Sequence, residues 1–165
     1  MKTSRTRTFL SAVVLCMATT GLFAQANFAG NWGLNESKSN FGGSQFRMAA
    51  TAMTVTQAGT VLTVESTMPS RDGGTTKSTA KYNLDGKVSE NPAFNSTRKS
   101  TATWSADKTA LTIVSTMTME FGGESRGMKT TETWKLTEGG KVLTIESVRP
   151  GRDGEMRTTA AYDKK

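Results

Sequence analysis

Val61-Leu62-Thr63-Val64-Glu65-Ser66 recurs almost unchanged near the C-terminus as Val142-Leu143-Thr144-Ile145-Glu146-Ser147. The first copy leads into Pro69-Ser70-Arg71-Asp72-Gly73, and the second into Pro150-Gly151-Arg152-Asp153-Gly154. A looser third copy, Ala110-Leu111-Thr112-Ile113-Val114-Ser115, lies between them. Apolar and polar side chains alternate in each, which is the period-two pattern of a half-buried strand. In the first and last copies a glycine-containing turn then sends the chain back through a Thr-rich strand, so the repeating unit is a β-hairpin.

Working outward from these copies, the same alternation and the turn residues divide the chain into ten expected strands: 28–34, 50–57, 60–68, 75–84, 87–90, 94–105, 109–120, 127–136, 141–149 and 155–163. Asp85-Gly86 is a hairpin signal and makes 87–90 a short fifth strand, after which Asn91-Pro92 breaks the pattern. The polar segment 35–49, with Phe41 and Phe46 as its aromatic anchors, is expected to be a lid or loop. No segment carries a 3.6-residue apolar period. Ten successive antiparallel strands leave two exposed edges unless the first pairs with the last, and an even count lets them do so. The expected fold is all-β, an up-and-down meander barrel.

Alternation also assigns the faces. Leu62, Val64, Tyr82, Leu84, Trp104, Leu111, Ile113, Trp134, Leu136, Leu143, Ile145 and Tyr162 fall on one face, whereas the other is built of Thr, Lys and Glu. A polar outer face argues against an outer-membrane barrel, whose outward band must be apolar. The bulky inward residues collect at one end as a plugged floor. Toward the other end the inward positions become small or polar (Ser66, Ser78, Ser115, Thr130, Ser147), with Met68, Met117 and Met119 as flexible apolar lining. Small inward side chains at one end leave room for a pocket, unless the Met and aromatic side chains fill it.

Phe28-Ala29-Gly30-Asn31-Trp32-Gly33-Leu34 resembles the opening strand of the calycins, whose lipocalin branch begins with a Gly-x-Trp that plugs the barrel floor. Ten strands with a segment between the first and second are similar to the fatty-acid-binding branch. The resemblance implies a calycin-like barrel around a small apolar or amphipathic ligand, with Gly30 and Trp32 as structural floor residues.

Lys2, Arg5 and Arg7, an apolar run from Phe9 to Met17, and Ala24-Gln25-Ala26 have the form of a secretory leader cleaved after Ala26. The mature chain, 27–165, would form one barrel domain, and losing the three basic residues takes the net charge from +7 to +4. The remaining basic residues are interleaved with acids, so nucleic acid is not an expected partner. No second apolar run approaches the length of a membrane helix. Cys16 lies within the leader, which leaves a mature domain without thiols and fits a bacterial periplasmic or secreted protein. A monomer is expected.

The chain contains no histidine and, beyond the leader, no cysteine. That removes Ser-His-Asp and Cys-His nucleophile systems and ordinary zinc sites, so no catalytic residue, metal or cofactor is expected and a binding protein is favoured over an enzyme. Most carboxylates sit outward or in turns. Glu132 is inward by alternation, two residues before Trp134, and Arg98 and Arg149 are inward toward the open end. In the functional reading these three form a polar clamp for the anionic head of a lipid-like or fatty-acid-like ligand, lined by Met68, Tyr82, Trp104, Met117, Met119 and Trp134. In the structural reading, which is preferred, Glu132 pairs with one arginine as an internal bridge, or a bulge turns one of them outward. The alternative to a carrier is a solid barrel that binds another protein through its open-end loops, 35–49 and 121–127. Tight turns account for the two Arg-Asp-Gly sequences, and one Asp per loop is too few for calcium.

Overall fold

The computed structural model describes residues 24–42, 49–70, 72–93, 95–122, 124–151 and 154–165. Ten strands follow in order: β1 (Gly30–Asn40), β2 (Ala52–Ala58), β3 (Val61–Pro69), β4 (Thr75–Asn83), β5 (Ser89–Ala93), β6 (Ser96–Trp104), β7 (Ala110–Phe121), β8 (Glu124–Thr137), β9 (Val142–Gly151) and β10 (Gly154–Lys164). They form one antiparallel sheet, ordered β4-β3-β2-β1-β10-β9-β8-β7-β6-β5. The first and last strands pair as expected, with Trp32 opposite Lys164 and Leu34 opposite Tyr162. The meander thus closes into a nearly complete barrel.

The seam between β4 and β5 is where closure is incomplete, because these two strands end the sheet. Side chains bridge it in place of a backbone ladder. Asn91 accepts from the Lys81 N–H at 2.7 Å through its side-chain oxygen and donates to the Lys81 carbonyl at 2.9 Å through its amide nitrogen. Ser89 Oγ accepts from the Asn83 N–H at 2.7 Å. This changes the sequence reading around the turn. The fifth strand is Ser89–Ala93 rather than 87–90, and Asn91-Pro92 lies inside it rather than breaking the pattern. A residue without an N–H is tolerated there because β5 is an edge strand.

The second departure is β1, which runs to Asn40, so the first part of the expected lid is strand. Its far half is held by side chains as well as by the ladder. Ser39 Oγ donates to the Asn35 carbonyl at 2.6 Å and accepts from the Ala161 N–H at 2.9 Å, across a register shift between Asn35 and Asn40. Outside, Lys38 pairs with Glu138 at 3.0 Å and with Asp163 at 3.4 Å. Phe46, Phe94, Arg71, Arg152, Asp153 and nearly all of the expected leader, including Cys16, lie outside the described residues. Among the described residues no helix is long and apolar enough to cross a membrane.

The core fills one end of the barrel, where the turns after β2, β4, β6 and β8 gather. Leu62, Leu111, Ile113 and Leu143 are fully buried there, as alternation predicts. The plug is Phe28, just before β1. Its ring stacks on Trp104, with centroids 5.7 Å apart, and meets Trp134 edge-on at 5.8 Å. Trp32 donates its indole N–H to the Phe28 carbonyl at 2.9 Å, and Lys164 Nζ sits 5.6 Å over the Trp32 ring. Gly30 makes this approach possible: its φ is 151°, and a Cβ there would come within 3.1 Å of Lys164 Cε.

Candidate ligand cavity

Above the plug the barrel interior holds a partly open cavity of about 240 Å³. Its space comes from the change in side-chain size along the inner face. Leu143 and Ile145 of β9 give way to Ser147, and Tyr82 of β4 gives way to Ala80 and Ser78. The strand registers place Glu132 between Ile113 and Ser147, midway along β8. Arg149 lies two residues beyond Ser147 toward the open end, and Arg98 lies one inward step above Ser100 on β6.

Seven of the nine expected contacts line this cavity: Met68, Tyr82, Arg98, Met117, Glu132, Trp134 and Arg149. Trp104 and Met119 do not. Trp104 is at the floor end of β6, stacked against Phe28. Met119 lies past the last β6–β7 pair, Lys99 with Thr116, toward the tip of the β7–β8 hairpin. The expected floor residues Gly30 and Trp32 are at the closed end and do not line the cavity. Tyr82, Trp134 and Tyr162 are buried with the floor and also present surface to the cavity, so the floor is less completely sealed than alternation alone suggests.

Met53, Met128 and Phe41 line the cavity as well, and none was expected to. Met128 is in phase with Glu132 and Trp134 on β8 and lies inside the expected strand 127–136, so carrying the alternation back to that strand's start would have revealed it. Met53 follows from the alternation with Val55 on β2. Nothing local marks Phe41, which follows the polar second half of β1.

The interior charges are arranged differently from a structural bridge. Glu132 Oε2 accepts from the Trp134 indole at 3.2 Å, and among the described residues no ion pair joins Glu132 to Arg98. Burial raises the Glu132 carboxyl above the usual carboxylate range, opposed by the Trp134 hydrogen bond and the Arg98 charge. Of the expected pairing of Glu132 with one arginine, the Arg98 charge acts on Glu132 without a direct ion pair between the two. Arg98 Nε is buried with no hydrogen-bond partner, and Arg149 donates to Met156 Sδ at 3.2 Å. Tyr82 is pushed up to about 12 by burial and then by the nearby Glu132, which keeps its hydroxyl protonated at ordinary pH. Tyr162 is raised for the same two reasons. Nearer the seam, Ser100 and Ser115 satisfy each other at 2.8 Å. Among the described residues no cluster of carboxylates offers a metal site.

No protein-family model matches the sequence, and no curated protein matches it. In overall structure the chain is similar to the zebrafish ileal bile acid-binding protein, solved as a complex with cholic acid: TM-score 0.55 at 17% identity, covering 84% of this chain and 98% of that one. The likeness is one of fold, and it agrees with the ten-strand calycin-like barrel expected from the opening strand and the strand count.

Proposed function

We propose that this barrel is an exported carrier that holds a small apolar or amphipathic molecule, lipid-like or fatty-acid-like, inside its cavity. The observation that carries the reading is the pairing of interior space with an orphan donor: Arg98 is one of the residues lining the cavity, and its Nε is buried and lacks an acceptor. A buried polar group without a partner costs about 1–3 kcal/mol, so a ligand acceptor at that point would recover stability on binding. Met68, Met117 and Met128 supply walls that adapt to an irregular apolar body. The zebrafish protein of the same fold is solved with cholic acid, which supports an amphipathic ligand here.

Export follows from the leader-like N-terminus, with the periplasm or the exterior of a bacterial cell as the destination and a monomer as the working form. Catalysis is not part of the proposal. Among the described residues that line the cavity, Glu132 is the sole carboxylate, where carboxylate-based hydrolysis needs two.

Titration with a fluorescent fatty-acid probe tests the carrier reading. Saturable uptake that weakens at least ten-fold in Arg98→Ala or Arg149→Ala supports it. A folded protein that takes up neither the probe nor octanoate overturns it and moves the function to the loops at the open end.

A further inference from the structure

We infer that the cavity selects a compact monocarboxylic acid, a medium-chain or single-ring acid, and rejects long-chain and steroid-sized molecules. This rests on the carrier reading and narrows its ligand.

Size gives the first constraint. Pockets for drug-sized ligands run to roughly 300–1,000 Å³, whereas this cavity measures about 240 Å³. At roughly 30 Å³ for each water-sized group, that space holds about eight such groups, the scale of a medium-chain or single-ring acid. The walls fix this limit where they are least able to move. The deep end is bounded by Trp134 and Ile145, packed against the plug, and well-packed interiors yield little to an oversized guest.

Charge gives the second. Two guanidinium side chains, Arg98 and Arg149, reach the same cavity, and Arg98 Nε lacks an acceptor. Glu132 accepts its hydrogen bond from the Trp134 indole, and the Arg98 charge acts on it without a direct ion pair. A carboxylate suits a guanidinium through paired, charge-assisted hydrogen bonds. An alcohol of the same length offers neither the charge nor the second acceptor.

The test is a calorimetric titration of the purified full-length protein with butanoate, octanoate, hexadecanoate and cholate, with 1-octanol as the uncharged control. Octanoate is expected to bind at least ten-fold tighter than each of the others. In Ala80→Leu, which fills the cavity from β4, the preference should move from octanoate to a shorter acid. Tighter binding of hexadecanoate or cholate overturns the size limit while leaving the carrier reading in place, and equal binding of octanol overturns the acidic head. Failure of every compound, together with failure to take up a fluorescent fatty-acid probe, overturns the carrier reading itself.

Discussion

Trp134 donates its indole N–H to Glu132 Oε2 at 3.2 Å, two residues away on the same inward face of β8. The bond places a carboxyl in the middle of a barrel with a tryptophan as its direct partner, where an interior bridge would have used an arginine. Two consequences follow, one for the pH dependence of stability and one for fluorescence.

Because burial raises the Glu132 pKa in the folded state, the folded protein favours the protonated form. The stabilisation is full below the unfolded-state pKa and is lost as pH rises through the folded-state value. Thermal unfolding followed from pH 4 to pH 8 should therefore show a loss of stability in the wild type that Glu132→Gln lacks. Equal pH profiles for the two proteins would show that the ionisation of Glu132 is not linked to folding.

Trp134 both lines the cavity and touches the plug, whereas Trp104 stacks on the plug and does not line the cavity. A bound ligand should change the emission of Trp134 and leave that of Trp104 nearly constant. Single-tryptophan variants read by steady-state fluorescence separate the two; a ligand response carried by Trp104 would place the binding site elsewhere.

Phe28 is fully buried and joins Trp104 and Trp134. Phe28→Ala removes the plug and should cost about 3–5 kcal/mol, measured by urea unfolding. A loss under 1 kcal/mol would mean that the floor repacks without it.

Gly30 is expected to resist substitution for a reason of backbone geometry. At φ 151°, with Lys164 Cε 3.1 Å from where a Cβ would lie, Gly30→Ala combines strain with a clash. The expected loss is about 1–3 kcal/mol. A neutral substitution would show that Lys164 is not held over Trp32.

Asn91 closes the seam by hydrogen bonds in both directions to Lys81. Asn91→Ala leaves the Lys81 N–H and C=O without these partners and should destabilise the barrel by about 1–3 kcal/mol. Faster hydrogen exchange confined to Lys81 and its neighbours on β4 would locate the effect; unchanged exchange would assign the closure to other contacts.

Strand count, order and closure were legible because β3, β7, β8 and β9 alternate strictly, and alternation is what a half-buried strand imposes. The misreadings fall where side chains do the work of backbone. β1 reads as a loop beyond Leu34 because Asn35, Ser37 and Ser39 carry no apolar alternation, yet Ser39 bonds β10 directly. The start of β5 was misplaced because Ser89 and Asn91 bond β4 through their side chains, which no strand period records. Within the site, alternation found the inward residues but not their height. It could not separate Trp104 at the floor and Met119 on the projecting hairpin from true lining, since both depend on where a neighbouring strand ends.

The central claim is that the cavity holds a ligand. Native mass spectrometry of the protein recovered from a bacterial envelope, with organic extraction of whatever accompanies it, tests this most directly. The account predicts a reproducible added mass, small enough for a cavity of about 240 Å³ and lost in Arg98→Ala. A uniform mass equal to the polypeptide alone, in a folded protein that also takes up no fatty-acid probe, would contradict it.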